Sequence, residues 1–152
     1  MGTPLPDRES SFGSDDDVDD RPSARSKRTG DKLVARIRRE LPHLQTAEQA
    51  EIARSVARLV EAFNPELIYV FGSHARGMPH ANSDVDLLVL VATSDEPAHR
   101  RAQTAYAAVG AHVIPLDILV MTRAEFQARL PAVASLPATV AREGRTLYAT
   151  SA

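Results

Sequence analysis

The sequence predicts a mixed α/β domain, and three observations lead there. Short runs rich in β-branched and aromatic residues alternate with segments whose apolar residues fall at helical spacing. Glycines, prolines or capping pairs punctuate the boundaries between them. The 152 residues suffice for one hydrophobic core but fall short of two ordinary domains.

The elements follow in order. Residues 1–30 hold few apolar groups, with an acidic run at Asp15, Asp16, Asp17, Asp19 and Asp20 and then Arg21, Arg25, Lys27 and Arg28. They read as a disordered charged tail, or as a tail that docks on a partner or on the domain itself; the folded unit is expected over residues 31–152. From Asp31, the spacing of Leu33, Val34, Ile37 and Leu41 predicts a helix that Pro42 stops. Thr46 with Gln49 forms a capping-box signature for a second helix, whose stripe of Ile52, Val56, Leu59, Val60 and Phe63 ends at Asn64-Pro65.

Leu67-Ile68-Tyr69-Val70-Phe71 reads as a buried strand that Gly72 terminates. A short helix is expected from His74 with Ser73 as its cap. Further strands are expected over residues 84–91 and 113–121, the latter with Pro115 near its start, where a missing N–H is tolerable. Between them residues 97–109 are Ala-rich and helix-favouring, closed by Gly110. Thr122 with Glu125 is another capping box, opening a helix that Pro131 ends. A last helix over residues 137–143 stops at Gly144, and residues 145–148 run extended beyond it.

Composition narrows the function classes. The absence of cysteine removes disulfides, thiolate metal sites and cysteine nucleophiles, and suits a reducing compartment, so a cytoplasmic location is expected. No apolar run approaches the roughly 20 residues of a membrane span, and no signal-peptide pattern opens the chain, so no membrane partner is expected. Residues 1–30 carry seven acidic and five basic side chains, leaving thirteen of each for the remainder. A neutral domain without a basic block argues against nucleic acid as partner.

The chemistry concentrates in one stretch. Gly72-Ser73 stands ten residues ahead of Asp84-Val85-Asp86, with Arg76 and Ser83 between. Residues two apart in a strand share a face, so Asp84 and Asp86 project together as a paired mount for a hard cation such as magnesium or manganese. Taken alone, the pair also fits a strand's solvent face. Asp117, in the otherwise apolar run 113–120, calls for a partner, since an unpaired buried carboxylate costs several kcal/mol. That partner is a cation shared with Asp84 and Asp86, or else Arg76 or Arg123. Gly72 permits a tight turn, and free N–H groups after it suit a triphosphate. Arg76 either forks onto phosphate oxygens or pairs with Asp84 or Asp86. The five histidines show no ligand spacing and read as structural or surface groups, with His74 alone inside the motif.

The order glycine-serine, ten residues, aspartate-x-aspartate and a later strand aspartate resembles the minimal nucleotidyltransferases of the DNA-polymerase-β-like superfamily. Ala75-Arg76-Gly77, Ser83 and the Glu143-Gly144-Arg145 to Tyr148 ending extend the likeness over about residues 45–149. The resemblance implies the polymerase-β-like nucleotidyltransferase fold, a small mixed β-sheet flanked by helices. It implies two magnesium ions held by Asp84, Asp86 and Asp117, with Gly72, Ser73, Arg76 and Ser83 on the nucleotide. In many relatives arginine stands where this chain has His74. Relatives that modify antibiotics or tail nucleic acids carry an additional acceptor region, for which some 30 residues after the third strand leave no room. Small stand-alone members resemble antitoxins that transfer AMP from ATP to a tyrosine of a HEPN-type toxin. The resemblance thus implies ATP or another nucleoside triphosphate as substrate and a protein partner. A module that blocks its partner sterically without turnover, and nucleotidylation of a small molecule in a dimer-completed pocket, are the alternatives.

Overall fold

The computed structural model describes residue 2, residues 24–80 and residues 82–150. Of the tail expected to be disordered, residue 1 and residues 3–23, the acidic run Asp15 to Asp20 among them, lie outside the described residues, whereas residues 24–30 are helical and belong to the first helix. Ten elements follow one another among the described residues: α1 (Ala24–Glu40), α2 (Thr46–Phe63), β1 (Leu67–Phe71), α3 (Gly72–Ala75), β2 (Val85–Val91), α4 (Ala98–Val109), β3 (Leu116–Thr122), α5 (Arg123–Arg129), α6 (Leu136–Glu143) and β4 (Arg145–Ala149).

The strands form one mixed sheet in the order β3-β2-β1-β4. β1 runs antiparallel to both β2 and β4, while β2 and β3 are parallel. A parallel pair needs a crossover, and α4 supplies it. The mixed α/β architecture expected from the alternation of patterns is the one observed.

The two faces of the sheet differ in cover. Val85, Leu87, Ile68, Val70, Ile118, Val120 and Leu147 share one core with Leu33 and Ile37 of α1, Ile52, Val56 and Leu59 of α2, and Ala105 and Val109 of α4. On the other face Leu88, Leu90, Met121 and Phe71 pack with Phe126 of α5 and Val140 of α6. That second layer is short, and it leaves the Asp86 end of the sheet open.

Several boundaries move for identifiable reasons. α1 starts at Ala24 rather than Asp31, although Leu33 is the first of its described side chains to be buried. α2 is capped by Gln45 and Glu48, the Gln45 N–H donating to Glu48 Oε2 at 2.8 Å. Gln49, expected to serve in that cap, is buried and donates to the Leu41 carbonyl at 3.0 Å. The third strand begins at Leu116, because the Val113 and Ile114 N–H groups are drawn to Glu51 Oε1 of α2, at 2.6 and 3.0 Å. The Thr122 and Glu125 capping box forms as expected. Among the described residues no helix is long and apolar enough to cross a membrane.

Candidate active site

Gly72 follows β1 with φ +71°, a left-handed conformation that disfavours a side chain. A Cβ added there would stand 2.2 Å from Asp86 Oδ2, so glycine is required twice over, once by backbone and once by space. The turn is packed directly on the central carboxylate. Extended Phe71 caps α3, which places Ser73 inside the first turn; the expected capping role of Ser73 is not realised.

Asp86 is half-buried on β2, directly opposite Asp117 of β3 in the parallel register. Asp84, just before β2, is exposed on the approach. Burial, and then the neighbouring charges of Asp117 and Asp84, hold the Asp86 carboxyl above the ordinary carboxylate value; His74 and Arg76 pull the other way. Asp84 and Asp117, the other two predicted carboxylates, therefore both come within electrostatic reach of Asp86.

Asp117 reached that face by a different route from the one its sequence context suggested. It is exposed, because β3 is an edge strand whose covered side carries Leu116, Ile118 and Val120. Neither arginine considered as its partner pairs with it: Arg76 meets Glu143 at 3.2 Å, and Arg123 pairs with Glu66. Its hydrogen-bond neighbour is Tyr106 of α4, whose hydroxyl lies 3.5 Å from Asp117 Oδ1 and accepts from the Ile118 N–H at 3.0 Å. Tyr106 carried no sequence signal, since an Ala-rich helix gives no hint of which tyrosine reaches over a sheet edge.

Arg76 closes α3 and bonds to neither Asp84 nor Asp86. Arg145 donates to the Ala75 carbonyl at 2.7 Å and lies 3.6 Å from Glu40. The residues flanking Gly144 thus brace α3 from below through two arginine contacts. Gly144 permits this by close approach, since a Cβ there would meet the Val140 carbonyl oxygen at 2.5 Å. Ser83 is half-buried, and its hydroxyl accepts from the His80 N–H at 2.6 Å. His74 is buried, 7% exposed, with its two ring nitrogens engaged by His43 and the Ser83 carbonyl.

The donor set suits a hard divalent cation: three carboxylates, two opposed across a parallel pair, whose mutual repulsion a cation would relieve. Among the described residues no three acidic or imidazole groups form a finished ion cage, so the carboxylates line a face. A cleft of about 630 Å³ lies elsewhere, at the far end of the sheet between α1 and β4, lined by Arg28, Lys32, Arg36 and Tyr148.

A glycine turn is thus seated on the Asp86 carboxylate, with Asp117 in register on the neighbouring strand and Asp84 just ahead of β2. Residues 50–141 match the nucleotidyltransferase domain family. The chain belongs to that family, and it is a nucleotidyltransferase. Solved structures with similar chains include a toxin-antitoxin complex with AMP-PNP, at 25% identity over 64% of this chain and 73% of that one, TM-score 0.43. A nucleotidyltransferase candidate from Sulfolobus solfataricus is 18% identical over 78% of this chain and 87% of that one, TM-score 0.48. A mutant of the toxin-antitoxin pair MntA-HpeT is 23% identical over 63% and 70%, TM-score 0.40. No curated protein sequence matches the chain.

Proposed function

We propose that the protein transfers AMP from ATP to a hydroxyl of a partner protein, a tyrosine of a HEPN-type toxin, with magnesium held by Asp84, Asp86 and Asp117. The observation that carries this reading is the packing of the Gly72 turn on Asp86, with Asp117 in register beside it. It sets the turn that would receive phosphate directly against hard oxygen donors. Divalent ions bound there would neutralise the phosphate oxygens and acidify the acceptor hydroxyl.

The chain's own groups do the rest. Gly72 and Ser73 hold the β and γ phosphates, and exposed Arg76 exchanges its surface pairing with Glu143 for a phosphate oxygen, a small loss because such pairs contribute little. Ser83, whose hydroxyl accepts from the His80 N–H at the end of the loop before Asp84, contacts the nucleotide beside it. The acceptor oxygen attacks the α-phosphorus in line, the bond to the β-phosphate oxygen breaks, and pyrophosphate leaves. Asp117, exposed on the edge strand, takes the acceptor proton. An acceptor approaching Asp117 meets an open face, which suits a hydroxyl presented by a macromolecule better than a small molecule that must be enclosed.

One observation favours a second reading, a binding module without turnover: the carboxylates do not form a finished ion cage among the described residues. Transfer of labelled AMP separates the two. Magnesium-dependent labelling of a co-purified partner that disappears in Asp84→Ala/Asp86→Ala supports catalysis. Labelling that survives the double substitution removes the metal assignment, and suppression of a toxic partner with no labelling selects the binding module.

A further inference from the structure

The buried His74 is held from both sides. Its Nδ1 lies 3.0 Å from His43 Nε2, and its own Nε2 lies 3.2 Å from the Ser83 carbonyl oxygen. The two rings are near-parallel, with centroids 5.3 Å apart and planes 21° from each other. A carbonyl only accepts, so His74 Nε2 carries hydrogen; in the neutral ring Nδ1 then accepts, and His43 Nε2 is the donor. The chain of donors runs one way: from His43 to His74 to the residue before Asp84.

What this chain spans is the site itself. His74 sits in α3, two residues after Gly72, and Ser83 immediately precedes Asp84. Among the described residues between them, the loop is closed by short-range bonds, Gly77 N–H to the His74 carbonyl at 3.2 Å, Met78 N–H to the Ser73 carbonyl at 3.1 Å, and the His80 and Ser83 pair. The imidazole of His74 is a side-chain tie between the Gly72 turn and the residue before the first carboxylate. His43 anchors that tie to the connector between α1 and α2, beside Glu40 and Arg145, which brace α3 from the same side.

We propose that His43 is a positioning residue for nucleotidyl transfer: through His74 it fixes the spacing between the Gly72 turn and Asp84, and so the affinity for nucleotide and metal. The inference rests on the proposed site. It also explains why a histidine occupies the turn, since arginine there could not accept from His43.

The test uses the full chain with His43→Leu, which keeps bulk and loses the donor, and His43→Gln, whose amide N–H keeps it. Loss of an outer partner of metal-binding groups typically costs about 10–100-fold, so His43→Leu should raise the KM for ATP and the half-saturating magnesium concentration about tenfold. The kcat at saturation should change far less, and His43→Gln should recover most of the loss. Amide exchange in residues 77–85 should speed up in the Leu variant and return toward wild type in the Gln variant. Unchanged exchange in the Leu variant overturns the inference, as does a Gln variant no better than Leu. If the wild type transfers nothing, the proposed function falls, and the exchange measurement still decides the inference.

Discussion

Asp86 carries a charge that its surroundings resist. Burial, Asp117 and Asp84 raise its proton affinity in the folded state above the unfolded value, so between those two values folding gains from acidification and loses as pH rises. At neutral pH the ionised carboxylate therefore burdens the metal-free fold. Asp86→Asn should raise the melting temperature of metal-free protein at pH 7.5 while lowering nucleotidyl transfer by more than about 100-fold, since even outer partners of metal ligands cost about 10–100-fold. The gain should shrink as pH falls and the wild-type group takes up its proton; a lower melting temperature for the Asn variant at neutral pH would contradict the assignment. Gly72 is bound to the same residue by sterics. Gly72→Ala places a methyl 2.2 Å from Asp86 Oδ2 in a left-handed backbone conformation, which alone costs about 1–2 kcal/mol. Urea denaturation should show at least that loss, together with loss of transfer as Asp86 is displaced.

Between elements, the joint of α4, β3 and α5 depends on one buried guanidinium. Arg101, 3% exposed, forks onto Glu125 at 2.6 and 3.0 Å and donates to the Val120 carbonyl at 3.1 Å. The Arg101 hydrogen bond holds the Glu125 carboxyl below its ordinary value, with the Thr122 backbone N–H assisting against burial. A depressed carboxyl stabilises the fold above the unfolded value and loses that contribution as pH falls through the folded one. Arg101→Leu should cost about 2–3 kcal/mol at pH 7, the scale of charge-assisted hydrogen bonds, and less in acid; equal losses at pH 7 and pH 3.5 by chemical denaturation would remove the fork from the account. Half of this joint was legible in the sequence. The Thr122 and Glu125 capping box is a local signal, whereas Arg101 is one charge on an Ala-rich helix, and nothing local names a partner 24 residues away. The same limit explains Gln49, whose side chain answers to the buried Leu41 carbonyl rather than to the helix end. It also explains His43, which gains meaning only from His74, 31 residues on.

At the scale of the whole molecule, the sheet turns three separate sequence features into one site. The Gly72 turn and the paired aspartates were visible as local patterns, because a turn and a two-residue period are written in adjacent residues. The strand order β3-β2-β1-β4 was not visible from the residues alone, since pairing is non-local, and it is this order that sets Asp117 opposite Asp86. A site spread over a turn, a central strand and an edge strand should tie these elements together when it fills. Ligand that binds only the folded state at about 100 times its Kd stabilises by about 2.7 kcal/mol, which for a chain of this size is roughly 5–10 °C in melting temperature. Saturating ATP with magnesium should give a shift of that order, and ATP with EDTA should give little. Asp84→Ala/Asp86→Ala should abolish it, because two of the three donors are gone while the core-facing Val85 and Leu87 remain in place. A full shift in the double variant, or in EDTA, would mean that nucleotide binds away from the carboxylates, and the cleft lined by Arg28, Lys32 and Arg36 would then be the place to look.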